Sequence, residues 1–130
     1  MKLVTNLVLG LNRAALAEGL AFAKALGLDG AEALQVLKAS MAYSRIMDTK
    51  GEKMLRRDFA PQAKLSQHLK DVRLILQAGQ ETQARLPLSQ LHSELLAAAE
   101  TAGLGEADNS AIIAMFDRVR PDHESLPDGK

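Results

Sequence analysis

The chain contains no cysteine, and its few aromatic side chains amount to Tyr43 and three phenylalanines. Without cysteine there is no disulfide framework, no thiol nucleophile and no thiolate metal site, a composition at home in the cytoplasm, where we expect the protein to reside. Net charge is also missing. Sixteen basic residues balance sixteen acidic ones, so no long-range field draws the chain to nucleic acid or to an anionic membrane, and neither partner is expected. No stretch approaches the ~18 uninterrupted apolar residues of a membrane span. Met1 to Leu11 is apolar, yet it carries one lysine and Asn6 and runs into helical sequence with no cleavage-like break, so it does not read as a signal peptide. Alternating stretches rich in Val, Ile and Thr are absent too, which leaves little material for strands.

What remains is Ala, Leu, Gln, Glu, Lys and Arg at helical spacing, and the expected fold class is all-α, a multi-helix domain with two long helices. A chain of 130 residues makes one domain with a real core. The first long helix runs from about Lys2 to Ala25, with apolar residues at Leu3, Leu7, Leu11, Ala15, Leu16, Leu20 and Ala23, and stops at Gly27. Asp29 caps a second helix ending near Ser40. Ser44 opens or lies within a third that ends by Gly51, and a short helical turn follows around Glu52 to Arg57. Pro61 forces its predecessors out of helical geometry and breaks the pattern over Asp58 to Pro61. The second long helix spans Ala63 to Gln83, Pro87 starts another that reaches Ala102 before Gly103 and Gly105, and Asp108 or Asn109 caps a last one. The domain therefore covers 1–120, and the polar, proline-bearing segment 121–130 is expected to be a disordered tail.

Several chemistries find no support. His68, His92 and His123 form no i, i+4 pair and have no acidic cluster beside them, so no metal site is expected, and His68 reads as a polar helix residue near Lys70. No serine sits in a nucleophile elbow. Gly27-Leu28-Asp29-Gly30 and Gly103-Leu104-Gly105 follow helices, whereas a dinucleotide-binding glycine loop follows a strand.

Two constellations invite chemistry. Lys2 and Asn6, four residues apart, place an ammonium and a carboxamide on one helix face at the first turn of an otherwise apolar helix. They mark either the edge of a site or a chain start with a surface lysine. Lysine can donate to a carbonyl oxygen or shuttle a proton, and asparagine can hold a hydroxyl or carboxylate. Lys70 and Asp71, within His68-Leu69-Lys70-Asp71-Val72-Arg73-Leu74, read from spacing alone as a solvated helix face.

Seven segments occur in order: Met-Lys-Leu-Val-Thr-Asn-Leu (1–7), Leu-Ala-Glu-Gly-Leu (16–20), Gly-Leu-Asp (27–29), Lys-Gly-Glu-Lys-Met-Leu-Arg-Arg-Asp-Phe-Ala-Pro (50–61), Leu-Lys-Asp-Val-Arg-Leu (69–74), Leu-Pro-Leu (86–88) and Gly-Leu-Gly-Glu-Ala-Asp-Asn-Ser-Ala (103–111). Together they resemble the C-terminal helical domain of the β-hydroxyacid dehydrogenases, the family of 3-hydroxyisobutyrate dehydrogenase and tartronate semialdehyde reductase, related to 6-phosphogluconate dehydrogenase. The resemblance covers Met1 to about Arg120. It implies that Lys2 is the catalytic acid/base, that Asn6 binds substrate, and that Lys70 reaches the nicotinamide cofactor with Asp71 as its structural partner. The family's N-terminal Rossmann domain has no counterpart in these segments. Thr5 stands where an asparagine is common, and Ala63 where a phenylalanine near the cofactor is frequent.

The expectation is thus the substrate and dimerisation half of an NAD- or NADP-dependent β-hydroxyacid dehydrogenase, acting on a small 3-hydroxy acid by hydride transfer and inactive without its Rossmann half. A homodimer is expected because the first helix is apolar around most of its circumference. The rival from another class is a non-enzymatic helical module that only dimerises or binds a protein.

Overall fold

A computed structural model describes residues 1–117. Five α-helices follow one another, α1 Lys2–Ala25, α2 Gly30–Lys38, α3 Ile46–Arg56, α4 Leu65–Thr82 and α5 Pro87–Ala99; a wide π turn, Glu100–Leu104, and a 3-10 helix, Asn109–Phe116, complete the described residues. No strand occurs among them. The two long helices, α1 and α4, are those expected from the sequence, and the segment 121–130 lies outside the described residues.

Local signals explain most boundaries. Gly27 takes a positive φ of 81° after α1, and the Asp29 carboxylate accepts the Glu32 amide at 2.9 Å to open α2. Gly103, with φ 92°, breaks helical geometry inside the π turn that follows α5. The expected stop at Gly51 does not occur: α3 runs through it to Arg56 as one helix. Gly51 is a contact position, since a Cβ there would lie 2.8 Å from the Leu34 side chain that α2 inserts against it. Non-glycine residues in the left-handed region end two helices, Arg57 at φ 55° and Gln83 at φ 60°. The last helix is 3-10, where the sequence predicted only a capped helix.

α1 lies at the centre, touching every other helix and the 3-10 helix. Its buried face matches the expected one in part: Leu16, Leu20 and Ala23 are inside, joined by Gly10, Arg13 and Ala17, while Leu3 and Ala15 are exposed and Leu7 and Leu11 half-buried. A repeat of four residues drifts by about 40° per step around a helix of 3.6 residues per turn, so the row Leu3, Leu7, Leu11, Ala15 winds off the core side. Leu16, Leu20, Leu34, Met54, Leu65, Leu69, Leu96, Ile112 and Ile113 fill the core.

The non-helical segment around Pro61 is held by the stretch before the 3-10 helix. Asp108 N–H donates to Phe59 O at 2.9 Å, Asn109 N–H to Ala63 O at 2.8 Å and Leu65 N–H to Ala107 O at 2.9 Å. The Asp108 side chain, fully buried, accepts from Gln62 N–H (2.9 Å), Ala63 N–H (3.1 Å), Ser110 N–H (3.0 Å) and both ways from Lys50 Nζ (3.0 and 2.9 Å). Burial alone would push this carboxyl up; hydrogen bonds from Ser110, Gln62 and Lys50 outweigh it and hold the group far below the usual carboxylate range.

Asp108→Ala therefore strands the buried Lys50 ammonium and three backbone donors, and is expected to cost about 3–5 kcal/mol in urea denaturation. Lys50→Met leaves Asp108 three backbone partners and is expected to cost clearly less; equal losses would show that the ion pair, and not the backbone clamp, carries the effect.

Candidate functional site

α1, α4 and the Ala63–Lys64 segment enclose a cleft of about 200 Å³. Asn6, Leu9 and Arg13 line it from α1; Gln67, His68 and Asp71 from α4; Ala63, Lys64 and Asn109 complete it. The spacing explains the shared wall: residues 6, 9 and 13 recur every three or four positions and fall on one helix face. Lys2 stands one turn before Asn6 on the same face and is exposed.

The cleft brings together part of the expected site. Asn6 lines it, and so does Asp71. Lys70 is exposed on α4 beside the lining positions, and neighbours in sequence on a helix do not face one another, so it forms no ion pair with Asp71 among the described residues. Its charge is felt at Glu106, whose carboxyl is held low first by a hydrogen bond and charge from Lys64 and also by Lys70. Lys64 Nζ lies 2.9 Å from Glu106 at the rim.

The polar groups at the floor were not singled out from the sequence. Arg13 is only 6% exposed, yet its Nε and Nη1 have no hydrogen-bond partner. Burial lowers its pKa to about 10, so it remains a cation at neutral pH. His68, read from the sequence as a polar helix residue near Lys70, is buried, and its ring lies 5.3 Å from that of His92 at a 53° tilt. Both stack under Gly10, where a Cβ would come within 2.5 Å of His68 Nε2. Burial first, then the Arg13 charge, lowers His68 to about 3 and His92 to about 4; His92 itself adds to the effect on His68. The signal in the sequence was Arg13 itself, set among Gly10, Leu16, Ala17 and Leu20 at core spacing.

A larger depression of about 560 Å³ lies at the other end of α4, between Arg73 and Pro87. Its arginines and glutamines are exposed and it holds none of the expected site residues, so the smaller cleft, with its buried unpaired groups, is the chemically distinctive one. No group of three or more potential metal ligands occurs among the described residues, and no described helix is long and apolar enough to cross a membrane.

Because both histidines are neutral when folded and titrate near 6.5 when unfolded, the unfolded chain takes up more protons as the pH falls. Stability is then full above about pH 6.5 and declines toward pH 4, by up to about 1.4 kcal/mol per pH unit for each histidine. Urea midpoints at pH 7.0 and 5.0 check this. The double variant His68→Leu, His92→Leu is expected to flatten the decline, and an unchanged slope would contradict neutral burial.

Residues 1–116 match the family model described as NAD-binding of NADP-dependent 3-hydroxyisobutyrate dehydrogenase. The chain is 33% identical over 112 residues to 2-hydroxy-3-oxopropionate reductase of Escherichia coli strain K12, spanning 86% of this chain and 38% of that one. It is 32% identical over 112 residues to the cytokine-like nuclear factor N-PAC of Aedes aegypti, spanning 86% of this chain and 20% of that one. In three dimensions it is similar to 3-hydroxyisobutyrate dehydrogenase from Salmonella typhimurium, with a TM-score of 0.85 at 25% identity, over 88% of this chain and 40% of that one. The chain thus spans about two fifths or less of the length of these relatives.

Proposed function

The chain belongs to the 3-hydroxyisobutyrate dehydrogenase family, and from that premise we propose that it is the C-terminal, substrate-binding and dimerisation half of an NAD- or NADP-dependent oxidoreductase of small 3-hydroxy acids. The observation that carries the reading is the α1 face that presents Lys2 and Asn6 in succession above a polar cleft. In this reading Lys2 gives or takes the proton at the substrate's hydroxyl oxygen, Asn6 holds the substrate, and Lys70 approaches the cofactor from the cleft's outer side.

The family model that matches residues 1–116 is described as NAD-binding, and in this reading a Rossmann half shares the dinucleotide with this chain. A doubly wound parallel sheet with a glycine-rich turn holds the pyrophosphate in dinucleotide-binding folds, and no strand occurs among the described residues. The nicotinamide, when bound by a complete enzyme, supplies the hydride chemistry; this half contributes positioning and proton transfer. Alone it is expected to show no turnover, and no described helix is long and apolar enough to cross a membrane.

The test is a fusion to a family Rossmann domain. Lys2→Ala is expected to lower kcat by about 10²–10⁴ with substrate still bound, because an ammonium on the reacting oxygen acts on charge that develops in the transition state. Asn6→Ala is expected to act mainly on KM. Near-full kcat in Lys2→Ala would reject the assignment.

Dimerisation has its own support. Leu3, Val4 and Val8 are 41%, 59% and 50% exposed on α1, beside half-buried Leu7, a row of apolar side chains that a second copy would cover. A second reading, a helical module that only dimerises or binds a protein, rests on the same exposed face. Sedimentation at micromolar concentration is expected to give a dimer that Val4→Glu, Val8→Glu converts to monomer. A monomeric native chain would contradict it.

A further inference from the structure

Three depressions adjoin along the second half of α1. Ala21, Lys24, Ala25, Phe116 and Asp117 line one of about 310 Å³. A second, of about 250 Å³, shares Ala21, Ala25 and Phe116 with it and adds Glu18 and Phe22. A third, of about 210 Å³, shares Ala21 and Lys24 and is closed by Leu28, Leu55 and Arg57. The common walls join them into one furrow beside α1, a shape that suits an extended chain better than a compact small molecule. Glu18, Ala21, Phe22 and Ala25 fall on one face of the helix by their spacing, and Phe22, 64% exposed, stands there beside half-buried Phe116.

The described residues end inside this furrow. Asp117 forms part of its wall, leaves the 3-10 helix in extended geometry with φ −64° and ψ 144°, and is fixed by Arg57 Nη2, which donates to its carboxylate at 2.7 Å. The next residues in sequence are Arg118-Val119-Arg120-Pro121. An extended chain advances about 3.3 Å per residue and turns successive side chains to opposite sides, so one that continues from Asp117 carries Val119 about 7 Å onward with the two arginines facing away from it. The charges along the furrow are unequal. Lys24 stands on two of the depressions and repels an arginine, whereas Glu18 offers a carboxylate on the other and pairs with no cation among the described residues.

We propose that this furrow is the docking site of the chain's own segment 118–121, with Val119 covering Phe22 and Ala25 and Arg120 reaching the Glu18 carboxylate. The strap ties the second half of α1 to the 3-10 helix and takes Phe22 out of water. Contacts this few suffice because the segment is tethered at Asp117, where its effective concentration is on the order of millimolar and the loop to be closed is only two or three residues. The proposal is independent of the dehydrogenase reading, since no residue of the α1–α4 cleft takes part in it.

The experiment is NMR on the 130-residue chain labelled with ¹³C and ¹⁵N. The expected result is a nuclear Overhauser contact between the Val119 methyls and the Phe22 ring, with backbone order parameters at 118–120 of about 0.85, the value of a rigid helix. Val119→Asp is expected to erase the contact, lower those order parameters below about 0.6 and shift the amides of Ala21, Phe22 and Ala25, with α4 and α5 unmoved. Glu18→Gln is expected to move the Arg120 side-chain signals and leave Arg118 unchanged. Order parameters below about 0.6 in the unsubstituted chain, or a Val119 methyl with no contact to Phe22, would overturn the proposal. A mixture of labelled and unlabelled chains separates the remaining occupant: a Val119 to Phe22 contact seen between molecules, and not within one, would make the furrow a seat for a second copy and equally overturn it.

Discussion

The Asp108 carboxylate is the point from which the rest of the architecture hangs. Helices satisfy their own backbone groups; the chain between α3 and α4 cannot, because Pro61 excludes helical geometry there. Asp108 supplies the acceptors for Gln62 and Ala63, while its own backbone and that of Asn109 complete the join. Lys50 of α3 neutralises the buried charge. One residue thereby ties α3, the turn into α4 and the 3-10 helix together, and fixes Ala63, Lys64 and Asn109 where they close the cleft.

Against that satisfied carboxylate stands an unsatisfied cluster, Arg13 with His68 and His92. The fold tolerates Arg13, His68 and His92 buried side by side, two imidazoles kept neutral by burial and by the guanidinium, under a glycine that permits the close approach of α1. Unmet donors in a core lower stability, and such groups concentrate where a protein binds or reacts. The contrast sets a paired polar network beside one whose buried atoms have no partner.

Much of this was legible in the sequence and some was not. The all-helical class, the two long helices, the Asp29 cap and the break at Pro61 follow from local chemistry that acts within a few residues, and the structure has them. Gly51 was misjudged because a glycine that ends a helix and one that lets Leu34 press against a helix look identical until α2 and α3 meet. Arg57 and Gln83 end helices in a left-handed conformation that their types rarely choose. For the site, Asn6 was placed by its spacing from Lys2, whereas the Lys50 to Asp108 pair bridges 58 positions and leaves no periodic trace. Arg13 did leave one, a charge on the core stripe, obscured by a drifting row of leucines that pointed to the wrong face.

If the chain is the helical half of a dehydrogenase, the cleft between α1 and α4, and not the larger depression near Arg73, is where it meets ligand and Rossmann partner. Backbone amide shift mapping on the labelled chain, mixed with a separate family Rossmann domain carrying NADP and a 3-hydroxy acid, tests it most directly. The account predicts perturbations concentrated at Lys2, Asn6, Ala63, Gln67, Lys70, Asp71 and Asn109. Perturbations confined to Arg73 through Gln90, with the α1 face silent, would contradict it.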